Sequence, residues 1–486
     1  MSFQMFAPRS RVRIWATRLT LTTTGTGVEF IFRFLRTVIL SRLLAPSEFG
    51  VAVAITVVIF MSELVSDIGL DRFVLNRPPA DASDALATAH ALTILRGVVV
   101  AAGVLLAAPM LANLFGVPQF RSSFALAAAI PILRGLAHLG VKQAQRQYDY
   151  RLEAVSIIVA QLAALLATVA VAYLQPDHRA ILVTFTVEAV VYALMTHRVA
   201  RSRYVVNFSS RVAQQALSFG LPLIGNGLML AVMSQTDRML VGYYFGVKTL
   251  AVYSVVLNVA IVPLASLYRI VGSVVAAMFA RDVGTPMFVA SYFLASWTTL
   301  FIGCAAALGI VLALDVVTPL VFGPAYAVDE SLRLLVSMIA LVRVARWSPT
   351  LLLLSVGDTR RLAVANAVGA AGLFMALALV ALRPNLWAVL LGLLAGDVLS
   401  TGAFSYVSSR HLAHERRSIL KILAVSALVL ATIVVGTLIF PDRSVRDRLG
   451  LAALFVPVVG FVAIEISRWW KQREASKPAQ PSLAVA

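Results

Sequence analysis

The 486-residue sequence has one cysteine, few charges, and no polar stretch long enough for a separate soluble domain. With Cys304 alone, no intrachain disulfide and no thiolate metal cluster can form. Its place in an apolar run reads as a small buried hydrophobe. Charged residues make up 13% of the chain, against about 25% in soluble globular domains, which excludes an ordinary soluble fold. Enzyme signatures are missing: there is no Gly-x-x-x-x-Gly-Lys-Ser/Thr loop, no His-Glu-x-x-His and no Gly-x-Ser-x-Gly. Nothing therefore points to catalysis, to a cofactor or to ATP hydrolysis by this chain. His90, His138 and His197 lack metal-ligand spacing and read as ordinary polar contacts, with no metal expected.

What the sequence does have is apolar length. Sixty per cent of the residues are hydrophobic, and a bilayer crossing takes about 20 of them. Hydropathy predicts fourteen spans, at 19–43, 49–71, 87–112, 121–141, 153–174, 180–198, 216–240, 249–275, 288–314, 331–354, 363–382, 387–408, 420–440 and 449–467. The fold class is thus an all-α integral membrane protein, and its function must sit inside the helical bundle. The spacing divides it into a cytoplasmic leader at 1–18, a six-helix bundle at 19–198, a linker at 199–215, a second six-helix bundle at 216–408, an added helix pair at 420–467 and a disordered cytoplasmic tail at 468–486. A weak repeat supports duplication: Leu44–Val53 follows the first span and Phe245–Ser254 the seventh, each a small-residue turn opening the next helix. Transporters use such repeats to build a site near mid-membrane.

The net charge of +18, from 41 Lys+Arg against 23 Asp+Glu, would suggest nucleic acid in a soluble protein; here the apolar runs exclude that partner. Loops assigned to one side hold 24 Lys+Arg and those on the other hold 8, which places both termini in the cytoplasm. Arg9, Arg11, Arg13 and Arg18 precede a long first span without a cleavage site, so the start reads as a retained leader and not a signal peptide. Nine arginines and no lysine remain inside spans. Six of them, Arg33, Arg36, Arg96, Arg134, Arg343 and Arg346, lie deep. At about 2.5–3.5 kcal/mol each, they cost on the order of 15–20 kcal/mol together.

Such groups need partners or a wet cavity. Glu29, Arg33 and Arg36 share one helical face, which predicts a Glu29–Arg33 pair. The other intramembrane acids are Glu63, Asp67, Glu188, Asp237 and Asp397. Because Asp67 and Asp237 fall near span ends, pairing is not expected to satisfy the whole set. A cationic cavity shared by the two halves is expected instead. Guanidinium grips phosphate bidentately, so the six arginines are candidate ligands for a diphosphate or another anion. Glu63, Asp67 and Asp71 form one stripe, read either as a cation or proton site or, preferably, as a cluster pairing with Arg72 and Arg77. Glu29, Glu63, Asp67, Asp237 and Arg238 are candidates for coupling or gating. Pro131, Pro222, Pro263, Pro349 and Pro457 lie inside spans, where they permit kinks.

Leu40–Gly50 (LSRLLAPSEFG), Ser66–Asp71 (SDIGLD) with Val74–Arg77 (VLNR), Phe219–Leu223 (FGLPL), Thr236–Gly242 (TDRMLVG) and Val252–Ser254 (VYS) together resemble the bacterial polysaccharide transporter, or Wzx-type oligosaccharide flippase, family. That family belongs to the multidrug/oligosaccharidyl-lipid/polysaccharide exporter superfamily. The chain departs from it at Ala45 and Ala251, where relatives often have glycine. The resemblance implies an inner-membrane protein that flips an undecaprenyl-diphosphate-linked oligosaccharide by alternating access of two lobes. It further implies membrane lipids, a polysaccharide polymerase and export machinery as partners in exopolysaccharide or lipopolysaccharide synthesis. Two alternatives stand beside it: a cation-coupled multidrug antiporter, disfavoured by an arginine-rich interior, and a membrane-embedded polymerase or ligase. The latter is disfavoured because the longest outside connection, about 315–330, is short and carries no basic residue.

Overall fold

The computed structural model describes residues 27–77, 82–146, 149–412, 415–440 and 444–476. The expected leader, and the tail beyond 476, lie outside them. Among the described residues the protein is entirely helical. In chain order the helices are α1 (27–43), α2 (Pro46–Ser66), α3 (Leu70–Leu75), α4 (Ala82–Leu114), α5 (Arg121–Leu126), α6 (Ala129–Gly135), α7 (Gly140–Gln145), α8 (Arg151–Leu174), α9 (Arg179–Val199), α10 (Ser210–Ala260), α11 (Val262–Asp282), α12 (Met287–Phe322), α13 (Glu330–Ala345), α14 (Trp347–Ser355), α15 (Thr359–Leu382), α16 (Leu386–His411), α17 (Arg416–Ile439) and α18 (Val445–Ala475). Eleven helical runs among the described residues are long and apolar enough to cross a membrane. The protein is a multi-pass membrane protein.

Proline accounts for where several helices stop. A proline ring clashes with the carbonyl four residues earlier and donates no hydrogen bond to it. Pro131 acts on Ala127, where α5 gives way to α6; Pro349 acts on Ala345, where α13 gives way to α14; Pro263 acts just ahead of the α10–α11 break at Ile261. The expected fourth span, 121–141, is thereby corrected to three short helices, α5, α6 and the start of α7. Pro457 lies inside an unbroken α18, so a proline alone does not decide a break. Helix starts in the second half are capped as their sequences demand: Asn385 Oδ1 accepts from Ala388 N at 2.9 Å, Ser444 Oγ from Asp447 N at 3.1 Å and Asp358 Oδ1 from Arg361 N at 3.2 Å.

The two turns of the internal repeat have different backbones. Ala45 sits at φ −59°, followed by Pro46 in the first turn of α2, so no glycine is required there. Gly246 interrupts α10 at φ 76°, a conformation that disfavours side chains. Within this region Gly50 packs directly on the Val247 backbone.

The chain divides into two compact units. The first runs through Ser254 and includes Val321–Ala325; the second holds Val255–Leu320 and the remainder from Tyr326. In the first unit one core joins Leu70, Phe73 and Val74 of α3 to Ala85, Leu86, Ala89 and Leu92 of α4, with Ala213 and Ala216 of α10. In the second unit a larger core runs from Phe279 of α11 through Phe293, Trp297 and Leu300 of α12 to Val429 and Ile433 of α17 and Phe455, Val462 and Trp469 of α18. The C-terminal helix pair is therefore built into this unit. Trp469 stacks on Phe293 with centroids 4.5 Å apart, and Arg473 Nη2 lies 3.0 Å from the buried Asp282 Oδ2. Elsewhere α15 and α16 cross on Gly372, Gly392, Gly396 and Ala376, where a methyl group on any of the glycines would meet backbone. Small residues of this kind allow membrane helices to approach closely.

Candidate functional site

In the first unit, the arginines of α1 and α6 converge with carboxylates from three helices. Arg36 is 5% exposed; its Nη1 donates to Glu188 Oε2 at 2.8 Å and its Nη2 to Gln161 Oε1 at 2.7 Å. Gln161 in turn donates to Glu188 Oε1 at 3.2 Å. Arg33 pairs with Glu29 at 2.7 Å, as the helical spacing predicts, and lies 3.8 Å from Glu188. Arg134 pairs with Glu63 and lies 3.7 Å from Glu188. Three guanidiniums thus face three carboxylates, and Glu188 is the hub that all three share. Aromatic rings close one side: Arg33 lies over Phe60 at 5.4 Å and Arg134 over Phe185 at 5.8 Å, with the two rings edge to face.

The second unit is built differently. Arg343 Nε donates to Asp397 Oδ2 at 2.8 Å, and Arg346 Nη1 lies 3.4 Å from Asp397 Oδ1. One carboxylate is shared by two guanidiniums. Both arginines sit at the C-terminal end of α13, where unpaired carbonyls favour cations. Their side chains are 32% and 20% exposed, against 11% for Asp397. The same two-to-one arrangement recurs at Asp315, which contacts Arg448 at 2.8 Å and Arg333 at 3.4 Å.

Pairing goes further than the sequence suggests without covering the whole set: five of the six deep arginines have a carboxylate within 4 Å. The acids that do this are Glu188 and Asp397, at mid-helix, with Glu29 and Glu63, and not the end-positioned Asp67 and Asp237. Arg96, half-buried on α4, has no ion-pair partner among the described residues. The acidic stripe of α2 is also rearranged. Glu63 engages Arg134, Asp67 Oδ1 accepts from Gly69 N at 2.9 Å in the turn before α3, and Asp71 reaches Lys142 at 3.2 Å. Among the described residues none of the three pairs with Arg72 or Arg77; Arg77 instead lies over Phe73 and donates to Gln215 at 2.8 Å. Burial works against the Lys142 ammonium, but Asp71 and Glu153 outweigh it and hold its pKa above the usual lysine range. Asp237 accepts from Tyr253 Oη at 2.8 Å, while Arg238 folds back to Ser234 O at 2.9 Å.

The histidines form a structural group. His90, His138 and His197 all pack against Tyr204, with centroids 4.3–5.3 Å away. The His90 ring bonds Val205 O at 2.9 Å and the His138 ring Ser202 O at 3.0 Å, so they fasten residues 202–205 to the unit. Among the described residues no group of His, Cys, Asp and Glu could hold a metal. The outside connection expected over 315–330 shrinks to 323–329, because α12 continues to Phe322.

Residues 39–330 match the model of a family described as polysaccharide biosynthesis protein. The fold is similar to that of the lipid II flippase MurJ in an inward closed conformation, with a TM-score of 0.66 at 12% identity over 93% of this chain and 99% of that one. It is also similar to an inward-facing multidrug resistance MATE family transporter of the MOP superfamily, with a TM-score of 0.61 at 14% identity over 79% of this chain and 95% of that one. At these identities the likeness is one of fold. No curated protein matches the chain by sequence.

Proposed function

Since the chain belongs to the polysaccharide biosynthesis protein family, we propose that it is a bacterial inner-membrane flippase. Its cargo is an undecaprenyl-diphosphate-linked oligosaccharide, moved by alternating access of two six-helix lobes, and it is not an enzyme. The observation that carries this reading is the guanidinium pair Arg343 and Arg346 sharing the single carboxylate of Asp397. Moving a diphosphate through hydrocarbon is prohibitive unless fixed donors replace its water, and a planar fork of N–H groups suits phosphoryl oxygens. The lipid tail stays in the bilayer while the head group crosses within protein. In this reading Arg343 and Arg346 hold the diphosphate, Arg33, Arg36 and Arg134 brace the first unit through Glu29, Glu63 and Glu188, Arg96 is a further candidate ligand, and Asp67, Asp237 and Arg238 are available for coupling or gating. Polymerase and export proteins would take up the product.

The test is a deletion strain examined for lipid-linked oligosaccharide on the cytoplasmic face of the membrane. Accumulation, reversed by the wild-type gene and not by Arg343→Gln/Arg346→Gln, is the expected result. Normal surface polysaccharide with no accumulated intermediate would overturn it. A drug antiporter would instead restore resistance to a pump-deficient strain; the carboxylates it would offer to a cation, Glu29, Glu63 and Glu188, are already engaged by guanidinium groups.

A further inference from the structure

Resting on the anionic-cargo reading, we infer that Asp397 is a displaceable counter-ion that makes the α13 arginine pair selective for ligands of more than one negative charge. The two oxygens of its carboxylate each hold one guanidinium, Oδ2 on Arg343 and Oδ1 on Arg346. A phosphoryl group with two anionic oxygens offers a comparable pair of acceptors to the same donors. The arginines are the more exposed members and Asp397 the more buried, so an incoming anion reaches the guanidinium groups first. A monoanion that replaced the carboxylate would exchange one negative charge for another and gain nothing. A diphosphate adds charge against two fixed cations and wins the exchange.

The first-unit cluster lacks this property. Glu188 is held by three arginines and by Gln161, and Glu29 and Glu63 balance the remaining charge. An anion entering there would have to break a neutral, interlocked set. Asp397 is tied more simply: its carboxylate oxygens meet Arg343 and Arg346, while its backbone oxygen accepts from Thr401 Oγ1 at 2.8 Å within α16.

The test uses the full chain in nanodiscs and three probes offered separately: inorganic diphosphate, a short polyprenyl diphosphate, and methyl phosphate at about pH 5, where its second proton, with a pKa of about 6, is retained. Asp397→Asn should bind both diphosphates about tenfold more tightly than wild type and should acquire methyl phosphate binding that wild type lacks. A gain confined to the polyprenyl compound assigns the site to a lipid head group, and one shared with the inorganic ion assigns it to diphosphate of either source. Should Asp397→Asn fold poorly, Arg343→Gln and Arg343→Gln/Asp397→Asn decide the matter, since the double variant must then bind diphosphate more tightly than the single one. No gain in either comparison, with binding still lost in Arg346→Gln, would overturn the counter-ion role and leave the cargo reading standing. Diphosphate binding indifferent to both Arg343→Gln and Arg346→Gln would overturn both.

Discussion

The two arginine clusters use the same residue types to opposite effect. In the first unit Arg33, Arg36 and Arg134 meet Glu29, Glu63 and Glu188 in equal number, and the innermost pair, Arg36 with Glu188, has side chains only 6% and 10% exposed. In the second, Arg343 and Arg346 share Asp397 and remain partly open. Equal numbers around a buried Arg36–Glu188 pair make a cluster that holds helices α1, α2, α6, α8 and α9 together. Two guanidiniums on one carboxylate make one that can exchange its anion. The contrast teaches that counting intramembrane arginines does not identify a ligand site; the ratio of carboxylate to guanidinium carries that information.

The largest effect expected from this contrast is on stability. Glu188→Ala leaves a buried guanidinium uncompensated and should cost about 3–5 kcal/mol, read as a lowered midpoint of unfolding in detergent. Asp397→Ala should cost clearly less, because water reaches Arg343 and Arg346. Equal losses in the two variants would erase the distinction between the clusters.

Transport should show the reverse order. Normalised to folded protein, Arg346→Gln should reduce complementation of a deletion strain by about tenfold, near the lower end for a lost charge-assisted hydrogen bond of about 1.5–3 kcal/mol. Arg36→Gln paired with Glu188→Gln, which removes both charges together, should keep most activity. If the paired change abolished transport in a protein that folds, the first cluster would be part of the site and not a brace.

A third difference concerns packing. Gly396→Val in the α15–α16 crossing should cost about 1–3 kcal/mol through overpacking, since its Cβ would meet the Gly372 backbone. The smallest expected change is Arg96→Gln, which removes no ion pair among the described residues and should shift stability by no more than about 0.5 kcal/mol. A larger loss would assign Arg96 a partner that the clusters do not reveal.

Much of the fold is legible in the sequence because apolar run length is a local property. The long helices α2, α4, α8, α9 and α12 coincide with hydropathy, and the Glu29–Arg33 pair follows from a spacing of four along one helix. The 121–141 segment reads as one span because hydropathy does not register the hydrogen bond that Pro131 removes. Glu188 is visible as an intramembrane acid, yet nothing local marks it as the hub for arginines 54, 152 and 155 positions away. Gln161 carries no charge and so gave no signal at all, although it closes the first cluster.

The sequence by itself determined that this is a helical membrane protein whose interior keeps arginine where hydrocarbon penalises it, because burial of apolar residues and the cost of charge in lipid act at every position along the chain. Only the tertiary structure decided which of those arginines are neutralised in place and which share a single carboxylate. Coulomb energy depends on separation and burial, and both are set when distant helices pack, not by the order of residues along any one of them.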